Sequence, residues 1–562
     1  MLRRHFGKLL VALAVVSLAL GISGFLTMDP AATVSTAVYR SVQLFYWNYF
    51  PWNTTAEAHL PWTMEIARWL APLATLGAIF RVAVALFHRH WDSLRASRQR
   101  GHALICGAGE RGLTLARDLM KRGLTVVIVE RDSQRADDLA ADGFLTVCGE
   151  ASRDDVLLQC AACEARVVIA TSDSDHDNLA IAMAAASAGA VSIVAHSGNS
   201  ALSDLYQRHS ALTSPQSNSA EVRIFNTFRN LARQTLAAFP PEPSNGAVYV
   251  ILPELEDCAL ALAVEYALMG HFPGDKRVHL ILAGPQSATD RELLVARFPG
   301  IVHCMDLSWL SVCSSEMFSS QVADFVRRTP GDFTIFPSLT DTNLAFGRAL
   351  EILDRVRGRS GLRILLPAIA ESPIPELVMR NPLLRPALGV LPTQGEACGY
   401  EAVIAESLDR TARSIHEHWL AETQRQIVEA RASGNEALAQ AHETKTTFRP
   451  WAQLNEEQKG ASRSQADHIP FKLRAAELDP ARASRRQWAA LPTEQTEVLA
   501  RVEHARWAAY CRMTGWVYGE ERDDRAKQHP NLVDYDSLDE PTRDYDRVAV
   551  LNLAHYLPVQ SA

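Results

Sequence analysis

Residues 102–130, HALICGAGERGLTLARDLMKRGLTVVIVE, have the pattern of a strand, a tight glycine turn, a helix and a second strand. Gly107, Gly109 and Gly112 form a G-x-G-x-x-G motif directly after the apolar run 103–106. In this motif the first glycine permits a sharp turn, the second lets the backbone approach a pyrophosphate, and the third allows close packing of helix on strand. The free N–H groups at the start of the helix attract an anion. The stretch therefore predicts a phosphate-binding turn.

A carboxylate stands where such a site needs one. The second apolar run, 125–129, ends in Glu130, which lies 21 residues after Gly109. At that position a carboxylate accepts hydrogen bonds from ribose hydroxyls. Together with the turn, Glu130 predicts binding of an adenine dinucleotide or nucleotide. The alternative is a related fold that keeps the glycines for packing and binds no ligand.

The composition narrows the class of protein. A length of 562 residues is enough for about three or four domains. The net charge is −8 and no basic block occurs, so nucleic acid is not an expected partner. The nine cysteines are scattered, as is typical of free thiols in a reducing compartment. Cys160 and Cys163 lack the further ligands that a zinc site requires, so we interpret them as packing residues and expect no metal site.

Two apolar segments near the N-terminus have the length of membrane spans. Residues 9–26 are uncharged and, at about 1.5 Å per residue, extend roughly 27 Å, close to the thickness of the hydrocarbon core. A signal peptide has the same charge pattern but usually a shorter apolar run. Residues 69–87 form the second segment, with Arg81 as its single charge. The position of Arg81 favours a side chain that reaches the interface over a functional charge.

Basic residues flank the outer ends of both segments and are few in the loop between them. They are Arg3, Arg4, Lys8, Arg89, Arg95, Arg98 and Arg100. The positive-inside rule then predicts a multi-pass protein of the inner membrane, with both termini and the main body in the cytoplasm.

The loop between the two segments is aromatic. Residues 44–52, LFYWNYFPW, suit a membrane interface. A span, an aromatic segment and a second span resemble the pore of a two-helix ion channel, although the sequence lacks the T-V-G-Y-G filter of potassium channels. A non-selective pore and a dimerising anchor with an interfacial helix both remain open.

Strands and helices continue to alternate after Glu130. Apolar runs 144–148, 166–170 and 191–195 are separated by helical stretches, which predicts a parallel sheet with right-handed crossovers. Ligands of such sheets bind at the carboxyl ends of the strands. The residues predicted at those ends are Gly107, Gly109, Glu130, Gly149 and Thr171.

These segments resemble a known domain. GAGERG, VIVE, GEASRDDVLLQC and IATSDSDHDNLAIA, within about residues 101–210, are similar to the TrkA-N domain of the family that regulates potassium conductance (RCK). The resemblance implies a unit that binds NAD(H) or ATP/ADP and acts as a regulator, not as an enzyme. The implied site is Gly107, Gly109, Glu110, Arg111, Gly112, Glu130, Arg131, Glu150 and Thr171. Glu150 stands where the family usually has aspartate, which leaves its contact open.

A second unit of the same kind follows without the glycines. Apolar runs 248–252, 278–283, 333–336 and 362–366 repeat the pattern. The first turn of this unit, residues 253–256, reads PELE, and its two acids would repel a pyrophosphate. We therefore expect no dinucleotide in this unit and a role in pairing with the first one.

The C-terminal part has the composition of charged, alanine-rich helices, with 424–446 as an exposed helix or linker. Two patterns recur in it. His416-x-x-Trp419 returns as His504-x-x-Trp507, and residues 451–463 return as 535–547, each ending in arginine. Residues three apart share one face of a helix, so each histidine neighbours its tryptophan. We expect two helix pairs related by pseudo-symmetry.

The second of these halves resembles another domain. EHARWAAYCRMTGWVYGEERDDRAKQHPNLVDYDSLDEPTRDYDR, residues 503–547, is similar to the ryanodine-receptor (RyR) repeat domain, and the whole resemblance covers about 401–557. It implies a module that binds a nucleotide-derived ligand. The candidate residues are His504, Trp507, Trp516, Tyr518, His529, Tyr535 and Arg547. Aromatic faces with an arginine can stack a base and hold a phosphate; the alternative is that they pack the helix pairs.

The predicted fold class is α/β plus all-α, with two N-terminal transmembrane helices, two Rossmann-like parallel-sheet units and a helical RyR-like domain. The predicted boundaries are 1–100, 101–246, 247–395 and 396–562. We expect a membrane-embedded, nucleotide-sensing regulator that is a ligand-gated, ion-conducting protein of potassium-transport type or a membrane-perturbing effector. The alternatives are an anchored signalling module without a pore and, less favoured, an NAD-dependent oxidoreductase.

No catalytic residue is assigned, because the sequence indicates no acid–base pair beside a substrate pocket. We therefore expect a protein that is not an enzyme. The expected partners are the small-molecule nucleotide, the lipid membrane, monovalent cations and further copies of the chain.

Overall fold

A computed structural model describes residues 2–48, 60–198, 221–241, 246–274, 276–368 and 372–559. Contacts between Cα atoms divide the chain into two compact units. One contains residues 1–99, 132–149 and 159–161, and the other contains residues 100–131, 150–158 and 162–562. The predictions for the side chain of Arg81 and for aromatic residues 49, 50 and 52 lie outside the described part of the chain.

The N-terminal region consists of three helices, α1 (Leu2–Met28), α2 (Val34–Gln43) and α3 (Trp62–Ser97). Helices α1 and α3 approach each other closely: a Cβ atom added to Gly24 of α1 would lie only 2.9 Å from the Cβ of Met64 of α3. The hydroxyl of Ser17 also donates to the carbonyl oxygen of Ala67 at 3.3 Å. Glycine and serine permit this approach because they place little volume between the two backbones.

Within the described residues, one helical segment, Leu9–Met28, is long and apolar enough to cross a membrane. The first predicted span, residues 9–26, falls inside it. The second predicted span, residues 69–87, lies within α3 and stays a prediction. Of the aromatic loop, the structure describes α2, which is capped by the Thr33 hydroxyl, and a short turn of 3-10 helix at Leu44–Tyr46.

A parallel six-stranded sheet follows. Its strands are β1 (Ala103–Cys106), β2 (Val126–Glu130), β3 (Leu145–Cys148), β4 (Val167–Ala170), β5 (Ser192–His196) and β6 (Glu221–Phe225). The strands that belong to the larger unit lie in the order β2-β1-β4-β5-β6. Every residue of β1 and β4 is buried, as expected for central strands covered on both faces.

Helices alternate with these strands. They are α4 (Glu110–Lys121), α5 (Ser133–Ala141), α6 (Asp154–Gln159), α7 (Asp175–Ser187) and α8 (Thr227–Ala238). Successive strands are added on opposite sides of β1, so the direction of winding reverses between β1 and β4. The crevice at such a reversal is where open α/β sheets bind ligands.

A second parallel sheet repeats this topology. Its strands are β7 (Val248–Leu252), β8 (Val278–Gly284), β9 (Asp306–Ser311), β10 (Asp332–Ile335), β11 (Leu362–Leu366) and β12 (Leu388–Val390), in the order β12-β11-β10-β7-β8-β9. Its helices are α9 (Asp257–Met269), α10 (Ser287–Arg297), α11 (Phe318–Arg328), α12 (Thr342–Arg355) and α13 (Ile374–Arg380). The reversal lies between β7 and β10, as it lies between β1 and β4 in the first sheet.

The C-terminal part is helical. It contains α14 (Gln394–Cys398), α15 (Tyr400–Val403), α16 (Arg410–Ala432), α17 (Glu436–Glu443), α18 (Glu456–Asp467), α19 (Ile469–Ala475), α20 (Arg485–Ala489), α21 (Thr493–Met513) and α22 (Glu540–Asn552), with the short strands β13 (Val517–Tyr518) and β14 (Gln528–His529). The predicted boundary between residues 395 and 396 falls inside α14. Tyr400, at the start of α15, donates its backbone N–H to Asp118 of α4 at 2.8 Å, so this part of the tail packs on the first sheet unit.

The predicted fold class is confirmed as mixed α/β with two parallel six-stranded sheets and many helices. The segment 424–446 is not one helix or linker. It is a helical hairpin, with a turn at Gly434 (φ +76°) between α16 and α17. Ile427 and Ala430 of α16 bury their side chains against Ala439 of α17, which the low apolar content of the segment did not predict.

Candidate functional site

Two glycines of the turn at residues 107–112, which we call the glycine turn, are required by the fold itself. Gly107 has φ +103°, and a Cβ atom at this position would lie 2.8 Å from the backbone nitrogen of Ser172. A Cβ atom at Gly112 would lie 2.1 Å from the carbonyl oxygen of Gly107. Both positions therefore exclude any side chain, with or without a ligand.

Gly109 differs from its two neighbours. It precedes α4 with φ −64° and ψ −178°, a conformation that any residue adopts. A Cβ atom added to Gly109 would meet no protein atom closer than 3.6 Å, the nearest being a carboxylate oxygen of Asp173. Neither packing nor backbone geometry explains a glycine here. Gly109 precedes a 12-residue helix, at whose N-terminus a phosphate group would approach the backbone.

Glu130 is held at the rim of the glycine turn. It is the last residue of β2, it is half-buried, and its carboxylate accepts a hydrogen bond from the backbone N–H of Ala108 at 3.1 Å. The strand thus brings the predicted ribose-binding acid and the predicted phosphate-binding turn into direct contact.

Thr171 supports the turn from beneath. Its side chain is fully buried at the end of β4, and its hydroxyl donates to the carbonyl oxygen of Gly107 at 3.0 Å. Thr171 therefore fixes the conformation of the turn through its hydroxyl. The direct contact with a ligand that the resemblance implies for Thr171 stays a prediction.

Arg111 lies on the inner side of the same crevice. Its guanidinium is 3.5 Å from the carbonyl oxygen of Ser172, 3.5 Å from Nδ1 of His196 and 3.9 Å from Asp173. Burial and the charge of Arg111 lower the pKa of His196 to about 4, so His196 is neutral at pH 7. Neither Asp173 nor His196 was predicted as a site residue, although both follow predicted strands.

The remaining predicted contacts lie at the surface, with Glu110 and Arg131 exposed and Glu150 half-buried. Arg131 and Glu150 form a long ion pair of 3.9 Å at the ends of the strands. Glu110 is exposed in the first turn of α4, where a carboxylate interacts favourably with the helix dipole and competes with an incoming anion. These side chains have room to change partners when a ligand enters.

The second sheet has a pocket at the equivalent reversal. It is lined by Pro253, Glu254 and Glu256 from the turn that replaces the glycine motif, together with Ser338 and Arg348. The Arg348 guanidinium donates to the carbonyl oxygen of Pro337 at 2.6 Å and is therefore engaged within the protein. The expectation that this unit binds no dinucleotide stays a prediction.

Four of the seven candidate residues in the RyR-like part lie together. Trp507 and His529 are in edge contact with ring centroids 5.0 Å apart, and Trp516 is 6.1 Å from His529. Tyr518, in β13, is 57% exposed and pairs in register with His529 of β14. We call these four residues the aromatic patch. The Arg522 guanidinium lies 5.9 Å above the Trp516 ring and adds a cation to the patch.

The other three candidates have structural partners. His504 is buried between the Asp546 carboxylate, 3.1 Å from its Nδ1, and the carbonyl oxygen of Val533, 2.9 Å from its Nε2. Tyr535 is buried. Arg547 is held by three carboxylates, those of Glu497 (2.6 Å), Glu540 (2.6 Å) and Asp544 (2.7 Å). The aromatic patch therefore does not include the predicted phosphate-binding arginine.

The internal repeat has a clear structural basis. Arg463 binds the carboxylates of Asp409 (2.6 Å) and Glu456 (2.5 Å), as Arg547 binds those of Glu497 and Glu540. Each arginine lies seven residues after one of its glutamates, on a helix that packs against the long helix of its own half. In the first half this ion-pair cluster is buried, and in the second half it faces solvent.

The cysteines of the single C-x-x-C differ in environment. Cys160 is buried, which raises the pKa of its thiol to about 12, whereas Cys163 is exposed. Within the described ranges, no group of three or more histidine, cysteine or acidic side chains is arranged to hold a metal ion.

A glycine turn at the reversal of a doubly wound parallel sheet, with a carboxylate at the end of the next strand, defines a nucleotide-binding fold of the Rossmann class. Residues 103–214 match the TrkA-N domain, and residues 488–559 match the RyR domain. Both resemblances deduced from the sequence are thereby confirmed.

Several solved structures are similar to parts of the chain. The structure of GsuK bound to ADP is 17% identical, with a TM-score of 0.39, over 71% of this chain and 96% of that one. The GsuK channel bound to NAD is 15% identical, with a TM-score of 0.38, over 70% of this chain and 81% of that one. The TrkA-N domain of the inner membrane protein ybaL from Escherichia coli is 20% identical, with a TM-score of 0.22, over 25% of this chain and 98% of that one.

Proposed function

We propose that the chain is a membrane-associated regulator that senses an adenine nucleotide, NAD(H) or ATP/ADP, in the crevice of its first sheet. The observation that carries this proposal is Gly109. Its two companion glycines are demanded by internal contacts, but a Cβ atom at Gly109 would make only ordinary van der Waals contacts, 3.6 Å from Asp173 and 3.9 Å from the carbonyl oxygen of Thr171, at a helix N-terminus. A ligand that lies against the backbone gives this residue a reason to be glycine.

The nucleotide would be oriented by two contacts. Its phosphates would lie against the backbone of Gly107 and Gly109, and Glu130 would accept hydrogen bonds from a ribose diol. The carboxylate of Glu130 disfavours a 2′-phosphate at the same place, because two negative charges would meet. Arg111, Arg131 and Glu150 would adjust around the ligand.

We assign binding and no catalysis to this crevice. His196, whose Nδ1 lies 3.5 Å from Arg111 of the glycine turn, is only 3% exposed and neutral at pH 7. A buried neutral histidine is poorly placed to exchange protons with a substrate in the crevice. The nucleotide would thus act as a signal, and no hydride would be transferred.

The nucleotide signal would act on the membrane. Helices α1 and α3 would anchor the chain as a multi-pass protein, with the sheets and the tail in the cytoplasm and further copies completing an assembly. Ligand binding changes the membrane part only if two states of the protein bind the nucleotide with different affinity. We propose a nucleotide-gated pathway for monovalent cations or a nucleotide-dependent perturbation of the bilayer; the second candidate is an anchored module without a pore.

The aromatic patch would receive a second ligand. The exposed ring of Tyr518 and the cation of Arg522 beside Trp516 suit stacking of a planar base. Burial and the charge of Arg522 lower the pKa of His529, which keeps that ring neutral and suited to stacking. Quenching of tryptophan fluorescence by an added nucleotide, absent in Trp516→Ala, would show such binding.

Two measurements test the main proposal. The small molecule that copurifies with the full chain should be an adenine nucleotide, and Gly109→Asp should lose it, since the new side chain occupies the phosphate position with a negative charge. In liposomes of defined lipid, cation flux through the wild type should change on addition of that nucleotide. If no nucleotide produced a flux, the anchored module without a pore would be the remaining hypothesis. Turnover of NADH with a carbonyl substrate would contradict the regulatory assignment.

A further inference from the structure

An arginine-rich cavity lies between the edge of the first sheet unit and the helical tail. Four arginines line it, Arg223 of β6, Arg229 and Arg233 of α8, and Arg463 of α18. The cavity contains about 780 Å³ of empty space, part of it open to solvent. No residue of the glycine turn or of the aromatic patch lines it, so it is distinct from both proposed sites.

Two of these arginines are fully engaged in holding the structure together. Arg233 donates to Asp467 at 2.7 Å and to Asp409 at 2.8 Å. Arg463 donates to Asp409 at 2.6 Å and to Glu456 at 2.5 Å. Both side chains are more than nine-tenths buried, so these ion pairs form a rigid wall.

The other two arginines have longer contacts: Arg223 also donates to the carbonyl oxygen of Ile404 at 3.4 Å and lies 3.9 Å from Glu221. Arg223 lies 3.4 Å from Glu406, but Arg413 holds that carboxylate at 2.6 Å. Arg229 lies 3.6 Å from Glu456, the carboxylate that Arg463 holds at 2.5 Å. Among the residues that line the cavity, four arginines face three carboxylates, those of Glu406, Asp409 and Glu456, which leaves an excess of positive charge on its wall.

The donors of these two arginines are also underused. Nε of Arg223 is buried and has no hydrogen-bond acceptor among the residues that the structure describes. The guanidinium of Arg229, 39% exposed, makes no hydrogen bond to another described residue. Partial burial of this side chain, followed by the neighbouring charges of Arg463 and Arg233, lowers the pKa of Arg229 against the opposing charge of Glu456. The N-terminus of α8, capped by Asn226, adds positive potential at the same wall.

We propose that this cavity binds a small molecule that carries a phosphate group, held by the guanidinium groups of Arg223 and Arg229. A guanidinium presents planar pairs of N–H donors that match phosphate oxygens, and a phosphate would supply the acceptors that Nε of Arg223 and the guanidinium of Arg229 lack. Because the walls come from the first sheet unit and from the tail, the bound phosphate stabilises the junction between them.

The test uses the full chain in detergent, with inorganic phosphate and inorganic pyrophosphate as probes and isothermal titration calorimetry as the readout. Either probe should bind the wild type, and Arg223→Gln and Arg229→Gln should each weaken binding roughly 10- to 100-fold, as for the loss of a hydrogen bond to a charged group. Arg425→Gln, an exposed arginine of α16 away from the cavity, is the matched control and should bind like the wild type.

A second variant separates this proposal from the nucleotide proposal. Gly109→Asp should lose the nucleotide and keep phosphate binding, because the glycine turn does not line the cavity. Phosphate binding that is lost in Gly109→Asp would place the anion in the crevice and overturn the proposal. The proposal would also be overturned if phosphate still bound to the folded Arg223→Gln/Arg229→Gln double variant. It would likewise be overturned if titration of the wild type with both probes gave no binding heat.

Discussion

The backbone N–H of Ala108 donates to the Glu130 carboxylate at 3.1 Å, which joins the middle of the glycine turn to the end of the next strand. This bond holds the acid at the rim of the crevice before any ligand arrives. A ribose that entered would find the acceptor already positioned, which lowers the entropic cost of binding.

Glu130→Gln should therefore weaken nucleotide binding without disturbing the turn. The glutamine amide oxygen can still accept from Ala108, but it lacks the charge that strengthens a hydrogen bond to ribose. We expect Kd to rise about 10- to 100-fold, the value of a hydrogen bond to a charged group. Calorimetry with a nucleotide and with its 2′,3′-dideoxy analogue completes a double-mutant cycle. If the analogue lost as much affinity in Glu130→Gln as the intact nucleotide does, the acid would not bind ribose.

Alanine at Gly109 and alanine at Gly112 should have opposite consequences. At Gly112 the new Cβ atom would lie 2.1 Å from the carbonyl oxygen of Gly107, so the turn must shift at a cost of about 1–3 kcal/mol of stability. At Gly109 the nearest atom is 3.6 Å away, so stability should change by less than about 0.5 kcal/mol.

The paired measurements are thermal melting and nucleotide titration. Gly112→Ala should lower the melting temperature. Gly109→Ala should leave the melting temperature unchanged and weaken the binding of the nucleotide. A Gly109→Ala variant that binds nucleotide as tightly as the wild type would remove the main support for the proposed site.

A buried charge cluster in the helical tail gives a third prediction. Glu503 of α21 accepts hydrogen bonds from Arg506 at 3.0 and 2.8 Å and forms an ion pair with Lys472 of α19, and all three residues are at most 4% exposed. Glu503→Gln would leave two buried cations without their counter-charge, and we expect a loss of about 3–5 kcal/mol of stability. Lys472→Met should cost less, because Arg506 remains to balance Glu503. Equal losses in the two variants would contradict this account of the cluster.

The same cluster predicts a response to acid. Burial raises the pKa of Glu503, but the charges of Arg506 and Lys472 outweigh burial and lower this pKa to about 2. A depressed pKa gives stability that is present above the unfolded pKa of about 4.3 and is lost as the pH falls toward 2. Melting temperature measured across this window should fall less steeply in Glu503→Gln than in the wild type.

The central strands of both sheets could be predicted from the sequence, because they are continuous apolar runs that are buried on both faces. Three strands of the two sheets were missed, as were the short strands β13 and β14 of the helical tail. β9 reads DLSWLS and is largely exposed at a sheet edge, β12 has only three residues, and β6 mixes charged with apolar residues. Edge strands lack a continuous apolar run because they have a neighbouring strand on one side only and their other side is open to solvent.

The candidate sites also contain some contacts that the sequence predicts and others that it does not. The spacing of the motif was enough to predict that Gly107, Gly112 and Glu130 lie in one local unit. It could not show that Arg547 is held by Glu497, which lies 50 residues earlier, or that Arg223 and Arg229 face one cavity with Arg463. Such contacts depend on how distant helices pack, and a single sequence contains no periodic signal for them.

His468, between α18 and α19, provides the last prediction. Its ring is fully buried and stacked on Phe471 at 5.2 Å, and neither ring nitrogen has a hydrogen-bond partner among the described residues. Each unsatisfied buried group costs about 1–3 kcal/mol. His468→Phe puts an apolar aromatic ring in place of the imidazole and so removes both polar nitrogens, and we expect a higher melting temperature at pH 7.

The pH dependence of this effect has a defined sign. Burial and the charge of Lys472 hold the pKa of His468 well below its usual value of 6.5, so the folded protein keeps this ring neutral. The unfolded chain takes up a proton below about pH 6.5, so His468 lowers stability by about 1.4 kcal/mol per pH unit as the pH falls. The difference in melting temperature between His468→Phe and the wild type should thus widen from pH 7 to pH 5. His303→Phe, at an exposed position, is the matched control. A difference that stays constant over this range would show that His468 is protonated in the folded protein or has a partner there.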